Sequence, residues 1–489
     1  MSLIKSISGI RGTIGGNPGE ALTPVDIVKF VSAYCVRLKN LYPGRKCRVV
    51  VGRDARLSGE MVEELVCGTL VACGTDVIKA GLASTPTTEM AVILEKAEGG
   101  IIITASHNPR QWNALKLLNE KGEFLDAREG AELLDCAEKG EFSFEGVDSL
   151  GKVVTKDFAD KHVDAVVSCP YVDVEAIRKA HFKVALDAVN SVGGIIMPML
   201  FERLGVECVK INCEPTGNFA HNPEPLPTNL TELSEITASS GADFGVSVDP
   251  DVDRIALMCE DGSPFGEEYT LVAVSDYVLA SLERIRPSHP IGNRRATVSN
   301  LSSSRALKDV TEARGGTYTA SAVGEVNVTA EMRRTGAVIG GEGNGGVIFP
   351  EVHYGRDALV GAALFLSYLA RYKEIYKDVP AECMNPKGIV KVSAVRDRLP
   401  RYFIEKHRIE LNDPAKVDAV LAAIKKRYSD KRITDIDGVK IDFDTEKKWV
   451  HLRKSNTEPI IRVYAEAPTS SEADAIADEI VMLADSILG

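Results

Sequence analysis

Residues 182–212, FKVALDAVNSVGGIIMPMLFERLGVECVKIN, continue through LTELSEITASSGADFG (230–245) to VSVDPDVDR (246–254). Short apolar runs, VALD and VECVKI, alternate with stretches of helical periodicity, and glycines punctuate the joins. That alternation is the signature of strands linked by crossover helices, so the segment reads as an α/β unit. Its last strand ends in an acidic loop, DPDVDR.

The same order occurs twice more. One copy runs from CRVVVGRD (47–54) through LSGEMVEELVCGTLVACGTDVIKAG (57–81) to IIITASHNP (101–109). A looser copy runs from ATVSNLSSS (296–304) to AVIGGEGNGG (337–346). Three similar α/β domains with mixed sheets are therefore expected. Ligands of such sheets bind beyond the carboxyl ends of the strands, and all three unusual loops fall there, which points to one shared cleft. The last hundred residues differ: helical AKVDAVLAAIKKRYS is followed by DGVKIDFD, KKWVHLRK, IIRVYAEA and a final helical stretch, the pattern of a smaller α+β domain. The expected domains are 1–150, 151–258, 259–375 and 376–489.

A length of 489 residues, at about 150 per domain, accommodates roughly three domains with room for a fourth. Lys and Arg number 58 against 70 Asp and Glu, and the net charge of −12 disfavours nucleic acid and anionic lipid as partners. Any anionic substrate must then meet a local basic site. The ten cysteines show no CxxC spacing and sit mostly in apolar surroundings, as expected of a reduced, cytoplasmic protein. No apolar run near 18 residues is present, so neither a secretory signal nor a membrane span is expected.

The loops carry the chemistry. In DPDVDR, Asp249, Asp251 and Asp253 alternate, and on an extended chain their carboxylates share one face. Hard oxygen ligands at that spacing suit Mg²⁺. A solvated acidic turn is the plain alternative. A calcium loop is another, since Glu260 falls at its twelfth position, but Arg254 stands where that loop needs glycine and the flanks read as strands. TASHNP presents Ser106 beside His107, with Lys116 ten residues on; beside a magnesium-type loop, Ser106 is a candidate phosphoryl carrier, whose added charge of about −1.5 to −2 a cation must balance. In GGEGNGG the glycines match GxGxxG, yet a strand-like VIFPEV follows where a dinucleotide loop needs a helix. Glu342 and Asn344 there suit sugar hydroxyls, with a glycine-rich hairpin that holds no ligand as the plain alternative. RKSNTEPIIR gathers Arg453, Ser455, Asn456, Thr457 and Arg462, a set that suits a phosphate cradle, with a helix cap or plain turn as the alternative, and Arg11 in SGIRG is consistent with a further anion contact.

With TASHNP, DPDVDR, GEGNGG and RKSNTEP in this order, the chain resembles the α-D-phosphohexomutase superfamily over essentially its whole length. The resemblance implies a four-domain, heart-shaped enzyme with a central cleft, an isomerase moving a phosphoryl group between O1 and O6 of a hexose. It implies Ser106 as the phosphoserine and, with Asp249, Asp251 and Asp253, as a magnesium ligand. Arg254 and Arg11 would contact phosphate, Glu342 and Asn344 the sugar, and Arg453, Ser455, Asn456, Thr457 and Arg462 the non-reacting phosphate. Lys116, with His107 close by, matches the family's proton-transfer lysine. A hexose 1,6-bisphosphate would serve as activator and intermediate, and a hexose phosphate is the expected partner of a monomer or homodimer. Phosphoglucosamine mutase activity is expected first, and phosphomannomutase or phosphoglucomutase activity is the near alternative. GEGNGG in place of the common GExSGH, and NAL before Lys116, resemble an archaeal-type branch. A non-catalytic sugar-phosphate or calcium-binding protein is the reading from a different class.

Overall fold

The computed structural model describes residues 3–6, 9–285, 295–410, 417–454 and 460–488. The chain divides into two compact units: residues 1–270 with 345–395, and residues 271–344 with 396–489.

In the first unit, the strands Arg48–Arg53, Asp76–Leu82 and Gly99–Ile103 pair in parallel, as their crossover helices Gly59–Ala72 and Thr85–Glu95 require. Val49–Val51 and Ile101–Ile103 are buried on both faces, each side chain contributing about 1.5–3 kcal/mol of burial. Gly99 is forced by close packing. A Cβ there would lie 1.9 Å from the Tyr34 hydroxyl, which donates to the Leu118 carbonyl at 2.6 Å.

Three antiparallel strands, Leu3–Ser6, Gly9–Thr13 and Trp112–Leu118, and a parallel edge strand, Val153–Thr155, beside Asp76–Leu82, bring this sheet to seven. Trp112–Leu118 reads WNALKLL, a composition that favours helix in isolation. Pairing on both sides, with Gly9–Thr13 and Gly99–Ile103, overrides that preference. A second, four-stranded sheet of the same unit has the order Ile255–Met258, Phe244–Val248, Lys183–Asp187, Glu207–Ile211. Its first pair is antiparallel and the rest are parallel. The acidic loop lies in the antiparallel turn.

In the second unit, Ala296–Asn300 pairs in parallel with Thr317–Ser321 and Ile339–Glu342, the helices Ala306–Ala313 and Glu325–Thr335 providing the crossovers. The C-terminal part is an antiparallel sheet in the order Phe403–Glu410, Ile460–Ala467, Lys448–Lys454, Val439–Phe443, Arg432–Thr434. The helices Val417–Arg427 and Ser470–Leu488 cover one face, and Ile441, Val450, Leu452, Ile461 and Val463 meet Val420, Ile424, Ala477 and Ile480 in the core between. The outer strands Phe403–Glu410 and Arg432–Thr434 are absent from the sequence reading, because FIEKHRIE and RIT carry the charges that edge strands tolerate.

Glu466, on the other face of this sheet, is fully buried and accepts hydrogen bonds from Trp449 Nε1 (2.7 Å) and the Arg305 amide (3.0 Å). Burial pushes its carboxyl up to about 7. A carboxyl raised in the folded state costs stability as it ionises, so its contribution is fullest below about 4.5 and is lost as pH rises through about 7. Glu466→Gln should remove a slope of about 1.4 kcal/mol per pH unit across that window, measured by urea unfolding from pH 5 to 8.

Candidate active site

The strand Gly99–Ile103 leads into a loop that turns back into Trp112–Leu118. At its centre Ser106 adopts φ 51°, a left-handed conformation that costs a non-glycine residue about 1 kcal/mol or more. A buried scaffold holds it there. The Ser106 amide donates to Thr104 Oγ1 (2.9 Å), and the Thr104 hydroxyl donates to Asp54 Oδ2 (2.7 Å). Arg56 completes the support with all five of its donors: Nε on Asp54 Oδ2 (3.0 Å), and the terminal nitrogens on the carbonyls of Ser106, Asn108, Pro109 and Trp112. Burial pushes the Asp54 carboxyl up, with the Arg56 charge opposing it.

Ser106 Oγ points at the second sheet and donates to Asp249 Oδ2 at 2.7 Å. His107 Nδ1 is 3.4 Å from the same hydroxyl. Burial, then the charges of Arg254 and Arg11, push the His107 imidazole down to about 2, so it is neutral at physiological pH. Arg11 is held by Asn108 Oδ1 at 2.8 Å.

Asp249, Asp251 and Asp253 are fully buried, and one oxygen of each lies within 4.8 Å of the others. The chain does not stay extended between them. Val252 has φ 63°, and the resulting turn is fastened by Asp249 Oδ1, which accepts the amides of Asp253 (3.2 Å) and Arg254 (3.1 Å). Convergence therefore comes from a turn rather than from strand alternation. Glu260 is directed elsewhere, onto Ser393, and the flanking residues are strands, so the calcium-loop alternative lacks its frame.

At this spacing each pair of ionised carboxylates repels by about 3–4 kcal/mol at an effective dielectric of 20. Lys116 Nζ answers on Asp251 Oδ2 (2.7 Å), with Asp253 at 3.7 Å, and Arg356 reaches Asp253 Oδ2 at 2.6 Å. Thr85 donates to Asp251 Oδ2 at 2.6 Å. Burial opposes the Lys116 charge, but Asp251 and Asp253 outweigh it and hold the amine protonated. Burial and the Asp253 and Asp251 charges push the Asp249 carboxyl well up. At Asp251 burial acts in the same sense, but Lys116 prevails and its carboxyl is held down. Asp251 Oδ1 and Asp253 Oδ1 are buried without a hydrogen-bond partner. Two such oxygens beside a third carboxylate fit a hard divalent cation.

In the second unit, Glu342 ends its strand with Oε1 accepting from Asn300 Nδ2 (2.8 Å) and the Gly324 amide (3.1 Å). Asn344 is half-buried two residues on. Arg453 and Arg462 are directly opposed on antiparallel strands, so their like charges share one face. Arg453 pairs with Asp437 at 3.3 Å, and Asp437 accepts the Val323 amide at 3.0 Å. Val323 and Gly324 thus tie Arg453, through Asp437, to Glu342. Ser455, Asn456 and Thr457 lie outside the described residues.

Profiles of the phosphoglucomutase/phosphomannomutase family match four successive parts of the chain: alpha/beta/alpha domains I (3–144), II (160–262) and III (269–386), and the C-terminal domain (407–483). The chain belongs to this family. This phosphohexomutase is 34% identical over 469 residues to a phosphoglucomutase/phosphomannomutase of Thermococcus kodakarensis, covering 94% of this chain and 95% of that one. It is 30% identical to a probable phosphoglucosamine mutase of Methanopyrus kandleri (97% and 96% covered). It is also 30% identical to a phosphoglucosamine/phosphogalactosamine mutase of Sulfurisphaera tokodaii (98% of each covered). A solved phosphoglucomutase/phosphomannomutase family protein of Burkholderia thailandensis superposes with a TM-score of 0.80 at 25% identity, covering 99% of this chain and 98% of that one.

Sequence reasoning missed Asp54, Arg56, Thr85 and Arg356. The first two had a signal: GRDAR follows the first strand of its repeat, a carboxyl end like those of the last strands where the other loops fall. Thr85 and Arg356 had none, since their carboxylate partners are distant in sequence.

Arg56→Ala should cost about 3–5 kcal/mol in urea unfolding, because it strands a buried carboxylate and four carbonyls. Divalent-cation affinity should fall as pH is lowered, because the cation displaces the proton favoured by the raised Asp249. Calorimetry in buffers of different ionisation enthalpy should detect proton release that diminishes with rising pH.

Proposed function

We propose that the chain is a phosphoglucosamine mutase, interconverting glucosamine 6-phosphate and glucosamine 1-phosphate through phosphorylated Ser106. The observation that carries this reading is the hydrogen bond from Ser106 Oγ to a buried carboxylate of the acidic triad. The amino sugar is favoured by the names of several relatives, including those of M. kandleri and S. tokodaii. The T. kodakarensis relative favours the second reading, a phosphomannomutase or phosphoglucomutase.

In this mechanism, the free hydroxyl of the hexose monophosphate attacks the phosphorus on Ser106. The bond from phosphorus to Ser106 Oγ breaks as the new P–O bond forms, and the proton given up by the attacking hydroxyl balances the one that Ser106 Oγ takes up as it leaves. The bisphosphate then turns over, and its other phosphoryl group passes to Ser106, leaving the isomeric monophosphate. A hexose 1,6-bisphosphate therefore primes the resting enzyme. Asp249, Asp251 and Asp253, with the group on Ser106, would hold Mg²⁺, which supplies positive charge against the transferring phosphoryl.

Lys116, fixed as an ammonium by Asp251, supplies a buried donor and becomes a base only after giving up its proton. His107, neutral beside Ser106, offers a hydrogen-bonding group without adding charge. Arg11 and Arg254 offset negative charge at the phosphoryl group, acting as fixed dipoles and charges that need no reorganisation. Arg453, Ser455, Asn456, Thr457 and Arg462 hold the phosphate that is not reacting, and Glu342 and Asn344 accept the sugar hydroxyls. The same cradle serves both substrate orientations. The domains assigned to these roles are 1–150, 151–258, 259–375 and 376–489.

The ten cysteines are all unpaired and no helix among the described residues is long and apolar enough to cross a membrane; a cytoplasmic location accords with both. Ser106→Ala should lower mutase turnover on the order of 10³-fold or more while leaving the unfolding midpoint close to wild type. Exposure to glucose 1,6-bisphosphate should add one phosphoryl group to the wild-type intact mass and none to the variant. Turnover undiminished in the variant would exclude the carrier role. Rates on glucosamine, mannose and glucose 6-phosphates, compared as kcat/KM, should rank glucosamine first; a mannose or glucose preference would select the second reading.

A further inference from the structure

A second cluster of metal-ligating side chains lies in the first unit, apart from the acidic loop. His162, on the helix Ala159–Val167, directs Nε2 at Asp357 Oδ2 (2.8 Å). His353 directs its own Nε2 at the same oxygen (3.2 Å). The three donor atoms lie within 4.8 Å of one another, and all three residues are buried. Tetrahedral ligands at zinc distances of about 2.0–2.1 Å stand roughly 3.3 Å apart, and the two nitrogen–oxygen separations are 2.8 and 3.2 Å.

The remaining nitrogens of both rings are also engaged. His162 Nδ1 meets Thr87 Oγ1 at 2.9 Å, and His353 Nδ1 faces Glu89 Oε2 at 3.5 Å. Ligating histidines characteristically donate their second N–H to an oxygen in this way, which fixes the tautomer and turns the other nitrogen toward the metal. Asp357 is anchored as well, because Oδ1 caps the helix Ala358–Ile375 through the amides of Leu359 (2.8 Å) and Val360 (3.3 Å).

Charge points the same way. Without a cation, two ring nitrogens converge on a single carboxylate oxygen, and His353 is flanked by two carboxylates. Each ring must then donate to Asp357, and His353 meets both carboxylates only as an imidazolium, leaving the cluster with a net buried negative charge. A divalent ion bound to two neutral imidazoles and Asp357, with Glu89 behind, brings the net charge to zero. The donor set of two nitrogens and one oxygen suits zinc, whereas the all-oxygen triad suits magnesium.

We infer that His162, His353 and Asp357 form a zinc site, with Thr87 and Glu89 as its outer shell. It pins together the helices Thr85–Glu95, Ala159–Val167 and Ala358–Ile375. The first of these carries Thr85 to Asp251, Thr87 to His162 and Glu89 to His353, at alternate positions of its first turns. Arg356, which holds Asp253, is adjacent to the ligand Asp357.

The test loads the full chain with zinc, removes excess by desalting and measures bound metal and its X-ray absorption fine structure. The double variant Asp249→Asn/Asp253→Asn is included so that the acidic loop does not contribute. About one zinc per chain should remain in the double variant, with scattering from two imidazoles. Glu89→Gln should weaken zinc about 10–100-fold in competition with a chromophoric chelator. His353→Gln should weaken it further. Zinc absent from the folded double variant, or bound in an oxygen-only shell, overturns the proposal. Should His353→Gln fail to fold, the absorption spectrum of the double variant, which retains both histidines, still decides.

Discussion

Three carboxylates in a dry pocket repel one another, and the first unit is arranged around that constraint. Asp249, Asp251 and Asp253 each meet a different answer to it. Asp249 takes two backbone amides and the Ser106 hydroxyl, Asp251 takes Lys116 and Thr85, and Asp253 takes Arg356. The answers come from both sheets of the unit and from the segment at 356, so the charge cluster ties together parts of the chain far apart in sequence. Two carboxylate oxygens still lack a partner. The fold thus concentrates negative charge where a phosphoryl group is proposed to arrive, an arrangement that a cation makes favourable and that is costly without one.

Much of this was legible in the sequence. The repeated order of strand, helix and strand located the three α/β sheets, and the odd loops at strand ends brought out Ser106, Lys116 and the three aspartates. The register of the acidic loop was not legible, because the turn at Val252 replaces the extended chain that alternation suggests. Trp112–Leu118 was hidden by helix-favouring residues, and its strand state comes from the two neighbours that pair with it. Arg356 and Thr85 were hidden because their partners stand about 100 residues or more away in the chain. Local patterns cannot announce such pairs.

The second unit faces the opposite electrostatic problem. Arg453 and Arg462 stand opposed on neighbouring strands, with Asp437 beside Arg453, in a protein of net charge −12. Through the adjacent amides of Val323 and Gly324, the loop between strand and helix contacts both Asp437 and Glu342. The groups proposed to meet phosphate and sugar hydroxyls are thereby linked through two peptide units. On the proposed roles, discrimination among hexoses that differ at a single substituent rests on few groups, and relatives at 34% and 30% identity bear different substrate names.

The support beneath Ser106 has a consequence for how this loop can change over time. Arg56 grips carbonyl oxygens, which every residue type possesses, and four of its five donors are used that way. The path of the backbone from 106 to 112 is therefore prescribed in large part by a residue outside it, whatever side chains stand at the exposed positions 110 and 111. Substitutions at the exposed Arg110 or Gln111 leave that support intact, so the surface beside the proposed carrier serine can vary while the serine keeps its place.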